Sequence, residues 1–439
     1  MRDIIVGRLK PDVEKFGLRG TILLGKQYIR MGRTQTLSNN IYMDVTSSHV
    51  MFIAGKRGGG KSYTMGVIAE GVADLEPEIK QNLAFIFLDT MGVYWTMKYP
   101  NKQEEELLEP WGMKAKPCDV TIFTPIDYYH QYKEEGIPTD KPFSIKPSLL
   151  DGRDWCHVFD LHVNSPHGIA ITRVSAELKK VNPDFSISDL ITAVQSDDRT
   201  EQIVKDALEN MLLSTQNWGV FDVNGTPLEE IAKGGQITIL DVSAYATLPG
   251  GWRIKQMIVG LISQKLFIER MKARKKEEYE QVKATMSYFS TGEVTTQEFP
   301  LVWLVIDEAH EFLPHNKEDW NIATEPLVTI MREGRQPGIS LILATQQPGK
   351  IHTDVMTQSD IVLSTRLTAR MDVEALGLLT QSYMKEGLVH ELDLLPRVKG
   401  AAVIFDDSNE KLYPMRVRPR FTWHGGKAPS AIKPKKEKI

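Results

Sequence analysis

Gly55, Gly58, Gly59, Gly60, Lys61 and Ser62 fall in the run GKRGGGKS, directly after the apolar stretch Val50 to Ala54 and before the helix-compatible SYTMGVIAEGVADL. Glycines at this density let successive backbone N–H groups converge on an anion, and the N-terminus of a following helix adds its dipole. In the pattern G-x-x-x-x-G-K-[ST] the lysine reaches the β- and γ-phosphates and the hydroxyl ligates Mg²⁺. These residues point to ATP with Mg²⁺, Lys61 on the phosphates and Ser62 on the metal. A second run, LVWLVIDEAHEF, closes an apolar stretch with two adjacent carboxylates. Two such groups behind a buried strand are costly unless paired or near a metal. Asp307 is placed to hold the Mg²⁺ shell and Glu308 to polarise an attacking water. His310 either couples this site to neighbouring loops or only packs.

A third run, MREGRQPGISLILATQQPGKI, carries Gln346 at the end of an apolar segment, where it can sense the γ-phosphate or position water. Arg332 and Arg335 lie three apart on an expected helix end, so they are read as sharing one face. Arginine stabilises charge on a transferring phosphoryl group, and it acts strongly when supplied across a subunit boundary. Arg366 is a further candidate for facing a neighbouring site.

These groups need elements to hold them. Short, β-branched, nearly continuous apolar runs read as buried strands of a parallel sheet: Val50 to Ala54, Leu83 to Asp89, Val120 to Thr124 and Gln236 to Asp241. Leu301 to Asp307, Ile339 to Thr345 and Asp360 to Ser364 complete the set. Helical patterns alternate with them; the clearest carries Ile254, Met257, Ile258, Leu261 and Ile262 at i, i+3, i+4, i+7 and i+8. The fold class that follows is α/β, a P-loop domain with a parallel-rich central sheet. Residues 1–45 read as a short N-terminal β appendage with glycine turns, and 46–425 as the nucleotide-binding domain. A helical insertion is expected around 150–225, and residues 426–439 form a basic, mobile tail. The long gap between Lys61 and Asp307 disfavours small nucleotide kinases and GTPases and suits a larger motor.

The chain has 439 residues, 41% hydrophobic and 25% charged, with a net charge of −4, so it can bury a core and is not a basic coat protein. Two cysteines, Cys118 and Cys156, give neither a disulfide framework nor metal-ligand spacing. The N-terminal stretch lacks the apolar core of a signal peptide, and no run approaches the length of a membrane span. A cytoplasmic protein without membrane insertion is the expectation.

Together GKRGGGKSY, FIFLDTMGVY, GGQITILDVS, LVWLVIDEAHEFLP, MREGRQPGISLILATQQP and IVLSTRLTARMDVEAL resemble the HerA/FtsK superfamily, and HerA-type DNA translocases in particular, over residues of about 45 to 420. The resemblance implies a RecA-like ATPase that assembles as a hexameric ring and drives DNA through its centre. Contacts to that DNA would be largely sequence-independent, and a NurA-like nuclease or another effector would be its partner. It also extends the nucleotide-binding set to Tyr63, makes Gln346 the sensor and makes Arg332 and Arg335 phosphate-facing. Three positions depart from it. Ser48-His49 stand where relatives often carry an arginine, Val93 where they tend to have an acid, and Gln347 where many have arginine. Candidate DNA-contacting segments lie near Arg173 to Lys180 and around Lys350. Competing readings are a nucleotide-dependent assembly ATPase and a DNA-packaging or secretion motor.

Overall fold

The computed structural model describes residues 3–31, 34–286, 299–367, 370–377 and 382–426. The expected tail over 426–439 lies, beyond its first residue, outside them. Thirteen strands form one sheet among the described residues. They are β1 (Ile4–Val6), β2 (Thr21–Met31), β3 (Thr34–Asp44), β4 (Val50–Ala54), β5 (Leu83–Asp89), β6 (Thr121–Pro125) and β7 (Lys141–Phe143). The others are β8 (Ile237–Asp241), β9 (Leu301–Ile306), β10 (Ile339–Thr345), β11 (Ile361–Thr365), β12 (Ala401–Asp406) and β13 (Lys411–Val417). Across the sheet they run β1-β3-β2-β13-β12-β11-β4-β10-β9-β5-β8-β6-β7. Every neighbouring pair from β11 to β7 is parallel. The pairs β11–β12, β12–β13, β13–β2 and β2–β3 are antiparallel.

The parallel half is covered on both faces, which is why β5, β8 and β10 are buried at every residue and read as unbroken apolar runs. Alternate side chains go to opposite cores. Met51 and Ile53 of β4 pack with Met65, Val67 and Ile68 of the helix Lys61–Ala73 on one face. Phe52 and Ala54 face the other core, with Ile254, Ile258 and Leu261 of the 36-residue helix Gly251–Met286 and Leu327 of the helix Thr324–Glu333. That second core also receives the helices Gly152–Phe159, Pro166–Val181, Ile187–Gln195 and Gln202–Gln216. Two of these start on reciprocal capping boxes, at Asp151 with Asp154 and at Ser186 with Asp189. Arg173 lies inside a helix and is held by both carboxylate oxygens of Asp197, not in a loop free to meet DNA.

The long helix is tied to the loop that precedes β10. Arg270, fully buried, donates to the carbonyls of Pro337 and Phe299 and pairs with Glu277 at 3.1 Å. Within residues 1–45, Pro11 opens a helix over Lys10–Phe16, and β2 and β3 then join the main sheet through β13. The chain after β13 turns back over the helix Lys61–Ala73. There Arg418 donates to Glu70 at 2.7 Å and to the Val67 carbonyl at 2.9 Å. The Glu70 carboxylate also accepts from the Thr422 backbone at 2.9 Å and from the Thr422 hydroxyl. Burying that carboxylate is tolerable because each lone pair finds a donor.

His49, immediately before β4, is buried at the strand's start, the sheet edge away from the glycine run. Its ring contacts Asp360 at 2.5 Å and Asp44 at 3.4 Å, and Asp44 is paired with Arg8. Its two carboxylate partners outweigh the cost of burial and raise the imidazole to about 9 from 6.5. The folded value lies above the unfolded one. The charged ring therefore contributes stability that is whole below pH 6.5 and is lost as pH rises through about 9. Chemical denaturation between pH 6 and 10 should show a fall of about 3 kcal/mol from this group, and His49→Gln should abolish that slope. An unchanged slope in the variant would place the titration elsewhere.

Candidate functional site

Register brings the three runs together. β10 lies between β4 and β9, with Ala54 opposite Thr345 and Leu343 opposite Ile306. Just past those pairs, Gln346 after β10 meets Glu308 after β9. Ser62 and Asp307, 245 positions apart in sequence, therefore meet: the hydroxyl donates to Asp307 Oδ2 at 2.7 Å. The glycine run wraps the start of the helix Lys61–Ala73. Gly58 and Gly60 have φ of +74° and +94°, a left-handed backbone that side chains resist, and Gly60 caps the helix.

Gly55 and Gly59 are required for a different reason, contact. A Cβ at Gly55 would lie 1.9 Å from Thr365 Oγ1, and one at Gly59 would lie 2.7 Å from it. Thr365 ends β11, the other parallel neighbour of β4, and its hydroxyl also reaches the Ala54 carbonyl at 3.4 Å. The cradle thus has a wall that the motif does not contain. Lys61 is 5% exposed and its ammonium donates to the Lys56 carbonyl at 3.4 Å. Burial lowers its basicity, and Asp307 and Glu308 oppose that shift.

Glu308 has φ of +52°, a left-handed conformation rare for a residue with a side chain and costing on the order of 1–3 kcal/mol. Its N–H donates to Asp307 Oδ1 at 2.9 Å, and its Oε1 accepts from the Gln346 amide. Burial, and then Asp307, raise the Glu308 carboxyl; Gln346, Lys61 and His310 pull it back. A carboxylate raised in this way, beside an ammonium and an aligned amide, has the character of a general base. The residues present fit a magnesium nucleotide. The space over Gly58 and Gly60 is open, the Ser62 hydroxyl and Asp307 carboxylate converge, and Glu308 Oε2 is buried without a hydrogen-bond partner.

Other expected residues lie elsewhere. Tyr63 turns to the C-terminal segment, where its hydroxyl accepts from the Arg420 backbone at 2.7 Å and its ring meets His424 edge-on. Arg332 is exposed and ion-paired with Asp354. The helix stops at Glu333, so Arg335 sits in the turn beyond it and the two arginines do not share a helical face. Arg335 stands just before β10, whereas the cradle is at the end of that strand. At 3.3 Å per residue, a seven-residue strand separates the two levels by about 20 Å. Arg366 directly follows Thr365, beside the chain's own cradle.

Sequence reasoning passed over a second charged group on the same sheet edge. Asp89 and Asp241 end β5 and β8 opposite each other, both buried. Asp89 accepts from the backbone of Gly92 at 2.8 Å and Tyr94 at 2.9 Å, and Asp241 from that of Ser243 at 2.9 Å. Burial, and then Asp241, raise the Asp89 carboxyl. Lys255, from the long helix, donates to the Thr90 carbonyl at 2.8 Å and carries the compensating charge. The signal was available: both strands end in Asp.

The sequence model of the central domain of helicase HerA matches residues 29–266. A probable DNA double-strand break repair helicase HerA of Methanocaldococcus jannaschii is 28% identical over 355 residues, 77% of this chain and 66% of that protein. The DNA double-strand break repair helicase HerA of Pyrococcus furiosus is 26% identical over 143 residues, 33% of this chain and 24% of that protein. The chain thus spans less than two thirds of either relative. Among solved structures, VirB4 of Thermoanaerobacter pseudethanolicus has a TM-score of 0.52 at 12% identity, covering 91% of this chain and 96% of that one, a likeness of fold.

Gly55→Ala tests the wall. It should displace Thr365, cost about 1–3 kcal/mol of stability and weaken binding of a fluorescent ATP analogue about tenfold. Thr365→Ala in the same chain should recover most of both. Unchanged stability and affinity in the single variant would remove the wall.

Proposed function

The chain belongs to the HerA helicase central-domain family, and from that premise we propose that it is an ATP-driven DNA translocase working as a hexameric ring. The observation that carries this reading is the meeting of Ser62 with Asp307 beside a Glu308 held by Gln346. Lys61 would neutralise the β- and γ-phosphates, with the backbone of Gly55, Gly58, Gly59 and Gly60 around them. Ser62 and Asp307 would hold Mg²⁺, which supplies charge neutralisation on the phosphate oxygens. Glu308 would take the proton of the attacking water as the water oxygen bonds to the γ-phosphorus and the bond from that phosphorus to the β–γ bridging oxygen breaks, and Gln346 would keep the carboxylate in line. ADP and phosphate leave.

The position of the arginines supports a ring. Arg335 is about 20 Å from its own cradle along β10, so a phosphate-facing role for it requires a neighbour's site, and Arg332 would act there with it. Asp354, now paired with Arg332, would release it when that site fills. Head-to-tail repetition that closes on itself satisfies every subunit. DNA would be held mainly through its phosphates, with the exposed Lys350 one candidate contact, and hence with little sequence preference. A NurA-like nuclease or another effector would act on the DNA delivered, in the cytoplasm. Among the described residues no helix is long and apolar enough to cross a membrane.

Magnesium-dependent ATP turnover should rise with duplex DNA, and the rise should shrink with salt. No stimulation at low salt would favour the assembly-ATPase reading. Lys61→Ala should abolish turnover. Glu308→Gln should still bind ATP while its turnover drops by about 10²-fold or more. Near wild-type turnover in Glu308→Gln would refute its assignment as base. Protein carrying both Arg332→Ala and Arg335→Ala, mixed with Lys61→Ala protein, should regain activity, because mixed interfaces pair an intact cradle with intact arginines.

A further inference from the structure

Glu308 is held from one side only. Gln346 donates to Oε1, while Oε2 is buried and lacks a hydrogen-bond donor. A buried carboxylate oxygen in that state is expensive, so what can donate to it matters. A side-chain donor stands nearby: His310 Nδ1 lies 3.6 Å from Oε2, just outside hydrogen-bond range.

The state of that imidazole is set by the strand next door. The Gln347 amide nitrogen lies 3.1 Å from His310 Nε2. Where the amide nitrogen donates, Nε2 accepts and the neutral ring carries its proton on Nδ1. Nδ1 also lies 3.0 Å from Thr345 Oγ1, and that oxygen accepts the Gln347 backbone N–H at 3.0 Å. Glu311, at 3.4 Å from Nε2, and Glu308 flank the ring on its own segment. Gln347 is thus fastened to the end of β10 and holds the ring nitrogen of His310 opposite the one that lies toward Glu308.

We propose that His310 and Gln347 are a positioning pair for Glu308. Gln347 fixes the His310 tautomer, and a small closing movement at the filled site moves Nδ1–H from Thr345 Oγ1 to Oε2 while Gln346 keeps Oε1. Two donors from two strand ends then fix the carboxylate plane toward the water. The inference rests on the reading of Glu308 as the base. It also ties that base to the turn Pro348–Lys350, because the Lys350 N–H donates to the Gln347 carbonyl at 3.0 Å. Displacing the turn displaces the seat of Glu308.

The test compares His310→Ala, His310→Asn, Gln347→Leu and the His310→Ala/Gln347→Leu double variant. Each is measured for kcat, KM for magnesium ATP, and affinity for a fluorescent ATP analogue, after a thermal melt. His310→Ala should lower kcat on the order of ten- to a hundredfold with affinity nearly unchanged, since misplacement by about 1 Å has that effect. His310→Asn, which keeps an N–H donor near the Nδ1 position, should recover most of kcat. Gln347→Leu should lower kcat less, and the double variant should be no worse than His310→Ala, because both act through one contact. The proposal is overturned if His310→Ala and His310→Asn lose kcat equally, if the loss lies in affinity, or if the two substitutions multiply. A wild-type protein without ATP turnover removes the base assignment itself, an outcome told apart from these because no variant comparison enters it.

Discussion

The contact between the Ser62 hydroxyl and the Asp307 carboxylate exists only because β10 is threaded between β4 and β9. A strand leaving the glycine loop crosses to β5, three places along the sheet, and the two vacant places are filled much later in the chain. This order puts four strand ends side by side: Thr365, the glycine loop, Gln346 and Glu308. Ligand groups in open α/β sheets gather at such carboxyl ends, where the chain changes direction. The large insertion between the two halves of the motif is therefore not decoration. Its β8 and β6 extend the same edge, and its helices cover one face of the strands that carry the chemistry.

Strand content was legible because buried parallel strands announce themselves. Leu83–Asp89 and Ile339–Thr345 are apolar at nearly every position and flanked by turn residues. The glycine motif and the Asp307-Glu308 pair were legible because their residue types have few other uses. What the sequence did not carry was adjacency. Nothing in the local pattern IVLSTRL says that Thr365 will stand against Gly55, and nothing local says that Asp89 and Asp241 will face each other across a strand pair. β12 and β13 were overlooked: β13 is half-exposed and broken by Pro414, a pattern weaker than that of a covered strand, whereas β12 is buried throughout and its run AAVIFD carried the signal.

The arginines show the limit of helical periodicity. Spacing alone puts Arg332 and Arg335 on one face, but Gly334 and the turn to Pro337 end the helix between them. Arg270 anchors the carbonyls on the far side of that turn. His49 is a similar case. Its place before β4 is visible in the sequence, yet its partners Asp44 and Asp360 come from segments far apart, so its charge state is a property of the assembled sheet.

The sheet order has a consequence for biosynthesis. β4 pairs with β10 and β11 and with no strand made before them. At about 5–20 residues per second, the ribosome takes on the order of 15–60 s to make the chain between β4 and β10. During that interval Val50–Ala54 has emerged with both hydrogen-bonding edges open and no neighbour to close them. Nascent chains in that condition are substrates for chaperones. The nucleotide cradle, although encoded early, becomes competent only when the last third of the polypeptide arrives.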